Sequence, residues 1–186
     1  MVTTSDLVRQ GKRRKLTLIF LAVLVAGSVG FYAWLGGFKS PLFSQVALPG
    51  YLLVGQAYQG HPAGQPLHDL FKQMSELNRN GQLPGTLTTV FYDIKDLKKD
   101  SISAFVGVMV KDSSVSLPQG STFRHFTGGK AIRAEIRSHF LVAPAPGKVQ
   151  GAMTELAKRK GLTPYPYLFE KHYHPRYILL ELPLKQ

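Results

Sequence analysis

The sequence contains no cysteine, and beyond residue 34 it contains no tryptophan. Disulfide bonds, thiol nucleophiles and cysteine-ligated metal sites are therefore excluded. Acidic residues are also scarce, because 11 Asp and Glu stand against 23 Lys and Arg, which gives a net charge of +12. This balance favours anionic partners such as lipid surfaces, nucleic acids or acidic small molecules, although basic residues scattered over a solvated surface give the same total.

Several functional motifs are missing as well. Outside the N-terminal tail the only run of three basic residues is Lys158-Arg159-Lys160, and no nucleic-acid-reading signature accompanies it. Gly147-Lys148 lacks the surrounding pattern of a phosphate-binding loop, and no serine lies in a G-x-S-x-G elbow. We therefore predict no nucleic-acid partner and no serine-hydrolase triad.

A charge-free apolar stretch runs from Leu16 to Phe38, directly after five basic residues. As a helix it would span roughly 34 Å, which is enough to cross a hydrocarbon core. A cleaved signal peptide also has a basic flank, but this stretch is longer, no clear A-x-A site follows, and the aromatic cluster at 31–34 is typical of a membrane interface. We predict a transmembrane anchor at 16–38 in contact with the lipid bilayer, a cytoplasmic tail at 1–15 and an extracytoplasmic domain.

The remainder of the chain predicts one α+β domain at 51–186, joined to the anchor by a linker at 39–50. Apolar residues recur at helical spacing in two segments, 67–79 and 149–160. Alternating or continuous apolar patterns between Gly and Pro punctuation predict strands at 51–58, 87–93, 102–110, 122–126, 130–142, 165–173 and 176–184.

The order strand, helix, strand, strand therefore occurs twice. Met74-Ser75-Glu76-Leu77 in the first half is matched by Met153-Thr154-Glu155-Leu156 in the second. Each is followed by a glycine, a proline and an aromatic strand. A match of this length can arise by chance. The agreement of the whole order of helices and strands makes an internal duplication the better explanation. Two paired halves would leave a cleft between them, which is a common place for a ligand.

Motifs in the same order across residues 52–184 resemble the GyrI-like small-molecule-binding domains, which include effector-binding domains of bacterial multidrug-responsive regulators. The matching pieces are Ala57-Tyr58, Val90-Phe91-Tyr92-Asp93, Phe105-Val106-Gly107-Val108 and the closing Ile178-Leu179-Leu180-Glu181-Leu182-Pro183. The segment PYPYLFE at 164–170 is similar to the branch that contains testis-expressed protein 264, which also has an N-terminal anchor.

The resemblance implies a two-fold β-α-β-β repeat of the SHS2 type, with a pocket between the halves for hydrophobic or cationic compounds. Hydrolytic relatives use an active-site tryptophan, which this domain lacks. In the anchored eukaryotic branch the domain faces the cytosol, whereas the basic tail here predicts the opposite orientation. The autophagy role of that branch depends on a long tail with no counterpart in this sequence, so we do not transfer it.

Glu181 is the first candidate ligand-binding residue. Strand alternation places it on one face with Tyr177 and Leu179, and the resemblance implies that it faces the pocket and balances a cationic ligand. A solvated strand-face glutamate is the alternative. The aromatic candidates for the pocket wall, where cation–π contacts are possible, are Tyr58, Tyr92, Tyr167, Phe169 and Tyr177, although packing explains most aromatic residues.

No catalytic residue, cofactor or metal site is predicted. Glu170, His172 and His174 alternate along one strand face, but two histidines and one carboxylate in such a pattern are usually solvated. The favoured hypothesis is a non-enzymatic, membrane-anchored domain that binds a small hydrophobic or cationic molecule. A hydrolase of reactive electrophiles and a protein-interaction scaffold at the membrane remain the alternatives, and the protein partner of such a scaffold is unknown.

Overall fold

A computed structural model describes residues 4–92, 101–139, 141–144, 146–174 and 177–185. It has an N-terminal helix followed by an eight-stranded antiparallel sheet with two further helices, so the α+β class is confirmed. The elements are α1 (Thr4–Trp34), β1 (Leu42–Leu48), β2 (Tyr51–Gly60), α2 (Gln65–Arg79), β3 (Thr86–Tyr92), β4 (Ile102–Val110), β5 (Thr122–Phe126), β6 (Gly129–Ile136), α3 (Pro146–Arg159), β7 (Tyr167–His174) and β8 (Tyr177–Pro183).

Helix α1 contains a segment, Thr17–Trp34, that is long and apolar enough to cross a membrane, with a mean hydropathy of 1.9 and no residue buried in the protein. The helix ends at Trp34, and the positive φ of 82° at Gly36 lets the N–H of Gly37 reach the carbonyl of Tyr32 at 3.0 Å. The turn after the helix contacts the domain, where the N–H of His139 donates a hydrogen bond to the carbonyl of Leu35 at 2.9 Å. The apolar helix is thus attached to the domain at its C-terminal end.

Two segments differ from the sequence prediction. The expected linker at 39–50 contains β1, which pairs with β6 from Leu42↔Glu135 to Leu48↔Gly129. The strand expected at 130–142 ends at Ile136, because the chain turns there to bond Leu35 through His139. Residue 93, expected in the second strand, lies outside the described residues, and the other helices and strands fall within a few residues of their predicted positions.

The sheet has the strand order β1-β6-β8-β7-β3-β4-β2-β5. Only two residues separate β1 from β2, and only two separate β5 from β6, although each pair lies near opposite ends of this order. The two ends of the sheet must therefore approach each other. At that meeting point a Cβ on Gly128 would lie 2.7 Å from the carbonyl oxygen of Leu48, so the close approach requires glycine.

The two faces of this curled sheet are covered differently. Helices α2 and α3 lie on one face, where Met74 and Met153 are fully buried in two separate apolar cores. The other face, which we call the concave face, has an apolar cluster to which the described helices contribute no residue. Its buried members come from β1, β2, β3, β4, β6 and β7 and include Leu48, Tyr51, Leu53, Val90, Phe105, Ala131 and Phe169. Side chains from distant strands bury one another there because the sheet curls around them.

Candidate functional site

A cavity of about 570 Å³ lies on the helix-covered face, between the start of α2 and strands β3 and β7. These two strands are paired at the centre of the sheet, with Thr89 opposite Glu170 and Leu87 opposite His172. One comes from each half of the chain, so the cavity lies at the junction of the halves. Its lining residues are Pro62, Ala63, Gly64, Gln65, Leu67, His68, Phe71, Thr89, Phe91, Glu170 and His172.

The cavity, which we call the helix-side cavity, combines aromatic walls with one carboxylate. The imidazole Nε2 of His172 lies 3.3 Å from Oε1 of Glu170, and the ring of Phe71 meets the His172 ring edge-on at 5.2 Å. No lysine or arginine is among its described lining residues. The start of α2 contributes the positive end of a helix dipole, about half a unit charge, which offsets only part of the carboxylate. The site is therefore suited to an apolar or cationic molecule rather than to an anion.

Glu181 lies on the concave face, fully buried at the centre of a polar cluster. Its Oε1 accepts hydrogen bonds from Nε and Nη2 of Arg133 at 3.0 and 2.7 Å. Its Oε2 accepts one from the Tyr51 hydroxyl at 3.0 Å and lies 2.6 Å from Nζ of Lys171. Strand pairing produces this arrangement, because Arg133 and Phe169 are the direct neighbours of Glu181 on β6 and β7. The carboxylate that was predicted to balance a cationic ligand is thus balanced by two cations of the protein.

Burial and the Glu181 carboxylate set the protonation of the surrounding groups. Burial lowers the pKa of Lys171, while the hydrogen bond to Glu181 acts in the opposite direction. The pKa of Tyr51 is raised, first by burial and then by the charge and hydrogen bond of Glu181. Burial and the same carboxylate also raise the pKa of Tyr173. Both hydroxyls therefore keep their protons to higher pH than an ordinary tyrosine does.

Three of the predicted aromatic residues share the concave face with Glu181. The ring of Phe169 is buried against Tyr51 and Phe126, and the half-buried Tyr167 meets it edge-on at 5.6 Å. Tyr92 is half-buried beside them, and its hydroxyl accepts a hydrogen bond from Nη1 of Arg124 at 3.1 Å. These rings form an apolar wall that continues the Glu181 cluster.

The structure does not bring all six predicted residues together. Tyr177 is at the rim of the concave face, where the guanidinium of Arg137 lies 5.9 Å from the centre of its ring. Tyr58 is on the opposite, helix-covered face, because its neighbour Ala57 pairs with the concave-face residue Phe105. The Tyr58 hydroxyl donates to the carbonyl of His61 at 2.9 Å and so supports the 61–64 loop beside the helix-side cavity.

Sequence reasoning missed most of the helix-side cavity. Of its lining, Glu170 and His172 were considered only as metal ligands, and the described residues hold no group of three metal-binding side chains. Phe91 lines the cavity but is not among the predicted ligand-binding residues. The sequence signal that could have revealed this cavity is the alternation of side chains along β7. Glu170 and His172 lie on the same face of that strand as the buried Leu168. Two polar residues in line with a core residue indicate a polar opening within the core.

No protein-family profile matches the sequence, and no curated protein matches it. Solved structures do share the fold. SAV2435, solved with bound tetraphenylphosphonium, has a TM-score of 0.51 at 14% identity and covers 77% of this chain and 94% of its own. The C-terminal domain of EcmrR has a TM-score of 0.57 at 9% identity, and the match covers 80% of this chain and 99% of that domain. A hydrolase from Listeria innocua has a TM-score of 0.51 at 10% identity, and the match covers 83% of this chain and 98% of the hydrolase.

These likenesses concern the fold, because every identity is far below the level at which function is shared. The fold is consistent with the GyrI-like class that the sequence motifs resemble. Membership of the anchored branch with testis-expressed protein 264 stays a prediction, as do the domain boundaries and the six ligand-binding residues.

Proposed function

We propose that the protein is a membrane-anchored GyrI-like domain that binds a small hydrophobic or cationic molecule in the helix-side cavity, without catalysing a reaction. The observation that carries this proposal is the cavity itself. Its volume of about 570 Å³ lies within the usual range for small-molecule sites, which is about 300–1,000 Å³. Its lining joins apolar and aromatic side chains to a few convergent polar groups, as such sites do.

Two aromatic residues and one carboxylate give the cavity its charge preference. Phe71 and Phe91 offer ring faces or edges to a flat or cationic group, and Glu170 supplies the counter-charge. The shared fold supports the same class of ligand, since SAV2435 was solved with the lipophilic cation tetraphenylphosphonium. The two-fold succession of strands and helices further supports a duplicated β-α-β-β unit, with the cavity at the junction of its halves.

The anchor would place this cavity beside a bilayer. Thr17–Trp34 has the required length and hydropathy, and its apolar side chains are exposed. The basic residues before it favour a cytoplasmic N-terminus and an extracytoplasmic domain. A lipophilic cation that partitions into a membrane would then meet its binding site close to the membrane surface. A nucleic-acid partner is not part of this proposal.

Hydrolysis of a reactive electrophile is the second candidate function. The observation in its favour is the Glu170–His172 pair in the helix-side cavity, because a carboxylate can orient an imidazole as a general base for water. Incubation of the purified chain with epoxide and cyclopropane electrophiles tests it. Turnover above the background rate that is lost in His172→Gln would support it, and background rates alone would exclude it.

Binding is tested with the full chain in phosphatidylcholine nanodiscs, using tetraphenylphosphonium in equilibrium dialysis against empty nanodiscs. We expect saturable binding that weakens about tenfold in Phe71→Ala and in Glu170→Gln, as the loss of a desolvated cation–π or ionic contact predicts. Phe126→Ala on the concave face and Glu155→Gln on the surface of α3 are the matched controls and should bind normally. Absence of saturable binding would refute the proposal.

A further inference from the structure

The Glu181 cluster on the concave face carries more positive than negative charge. Two cations, Arg133 and Lys171, converge on one carboxylate, and the Lys171 side chain is only 3% exposed. Nζ of Lys171 also lies 3.9 Å from the centre of the Tyr51 ring. Placing a second cation here costs desolvation energy. One cation is enough to neutralise Glu181, so the second positive charge is available to an anionic group from outside the cluster.

Arg133 presents part of its guanidinium to solvent. Only Nε and Nη2 bond to Glu181, and within the described residues Nη1 makes no hydrogen bond. The Arg133 side chain is 28% exposed, whereas Glu181 and Lys171 are almost completely buried, so Arg133 is the member of the cluster that solvent reaches. A guanidinium fixed along one edge and open along the other is preorganised to receive an oxyanion.

An apolar wall adjoins this donor group. Phe126, Tyr167 and Tyr92 are half-buried on the same face, and the guanidinium carbon of the exposed Arg124 lies 5.0 Å from the centre of the Phe105 ring. Among the described strand residues of this face, only Arg133 and Lys171 pair with Glu181, and Arg124 adds a third cation beside the aromatic wall. At the rim of this face, Nη2 of Arg137 lies 2.9 Å from Oε2 of Glu135, so these two charges balance each other.

We propose that the concave face is a second binding site, for an organic carboxylate or sulfonate with an apolar body. The oxyanion binds the open edge of Arg133 beside Lys171, and the apolar body lies on the Tyr92, Phe126 and Tyr167 rings. The two faces of the sheet then have opposite charge preference. Glu181 is a positioning residue here, since it orients Arg133 and Lys171 without touching the ligand.

The test uses two probes that share a naphthalene ring and differ in charge, 1-naphthalenesulfonate and (1-naphthyl)trimethylammonium. Each is dialysed against the full chain in phosphatidylcholine nanodiscs, with empty nanodiscs as the blank. We expect the sulfonate to lose about tenfold in affinity in Arg133→Gln, which corresponds to one charge-assisted hydrogen bond. Lys158→Gln removes the same charge from the surface of α3 and should leave sulfonate binding unchanged.

Two further variants make each outcome decisive. Arg133→Lys keeps the charge but not the planar fork, and it should bind the sulfonate with intermediate affinity if Arg133→Gln does not fold. Phe71→Ala, which tests the helix-side cavity, should leave sulfonate binding unchanged, so failure of one site is distinguishable from failure of the other. Sulfonate binding that is absent, or that Arg133→Gln and Arg133→Lys both leave at the wild-type level, would overturn the inference.

Discussion

At the scale of single residues, the most constrained group is Glu181, whose two oxygens accept from three different side chains in a fully buried position. Buried ion pairs are costly to break because the remaining partner keeps its charge without compensation. The members of the cluster are therefore energetically coupled.

Replacing Glu181→Gln should destabilise the domain by about 3 kcal/mol, because Lys171 would then be buried without its counter-charge. Chemical denaturation of the full chain in detergent micelles, followed by near-ultraviolet circular dichroism, measures this loss. The double variant Glu181→Gln/Lys171→Met should recover much of it, since it removes both charges. Additive losses in the double variant would show that the two residues are not coupled.

The raised pKa of Tyr51 predicts how stability changes in alkali. Above the ordinary tyrosine pKa of 10.0, the unfolded chain loses this proton while the folded chain keeps it. Ionisation therefore favours the unfolded state, so the stabilising effect is present below pH 10 and is lost as pH rises above it. Unfolding free energies between pH 9 and about 11.5 should fall less steeply in Tyr51→Phe than in the wild type. Parallel slopes would contradict the assignment.

At the scale of elements, strands β2 and β4 pass each other closely at a glycine pair, Gly55↔Gly107. A Cβ on Gly107 would lie 2.3 Å from the carbonyl oxygen of Val54, so this position tolerates no side chain without a shift of backbone. Gly151 on the exposed side of α3 has open space around its Cα.

Alanine at these two positions should have opposite effects. Gly107→Ala should lower the free energy of unfolding by about 2 kcal/mol through backbone displacement, whereas Gly151→Ala should raise it by about 0.8–1.0 kcal/mol through helix propensity. Thermal unfolding of both variants measures the two shifts. A Gly107→Ala variant as stable as the wild type would show that the ladder between β2 and β4 is looser than described.

Most helices and strands could be predicted from the sequence, because apolar periodicity and the glycines and prolines that end each element are features of a few neighbouring residues. The prediction failed at β1, whose sequence LFSQVAL is short, flanked by prolines and stabilised by pairing with β6 far along the chain. The partners of Glu181 were missed for the same reason, since Tyr51 lies 130 residues and Arg133 48 residues away. The helix-side cavity likewise depends on how α2 sits over two strands, which no local pattern records.

At the scale of the whole molecule, the two proposed sites lie on opposite faces of one sheet, and the apolar helix joins the domain at Leu35. The helix-side cavity carries Glu170 without a basic lining residue, whereas the concave face carries an excess of cations. The sequence alone predicted the cationic preference but assigned it to Glu181. We propose the helix-side cavity for the cation, and ligand binding at Glu181 stays an untested prediction.

Orientation in the membrane is a separate prediction at this scale. The basic residues before Leu16 favour a domain outside the cytoplasm. Protease added to intact cells should therefore digest the domain, and a cytoplasmic marker protein in the same cells should stay intact as the control. Protection of the domain until the membrane is permeabilised would contradict the predicted orientation.

The most direct test of ligand binding in the helix-side cavity is a titration of histidine-labelled full chain with tetraphenylphosphonium, followed by nuclear magnetic resonance. His68 and His172 line the cavity, whereas His125 lies on the exposed strand β5 and reports non-specific effects. The proposed function predicts saturable shifts of the His68 and His172 ring resonances with His125 unchanged. Unshifted His68 and His172 at saturating cation would contradict it.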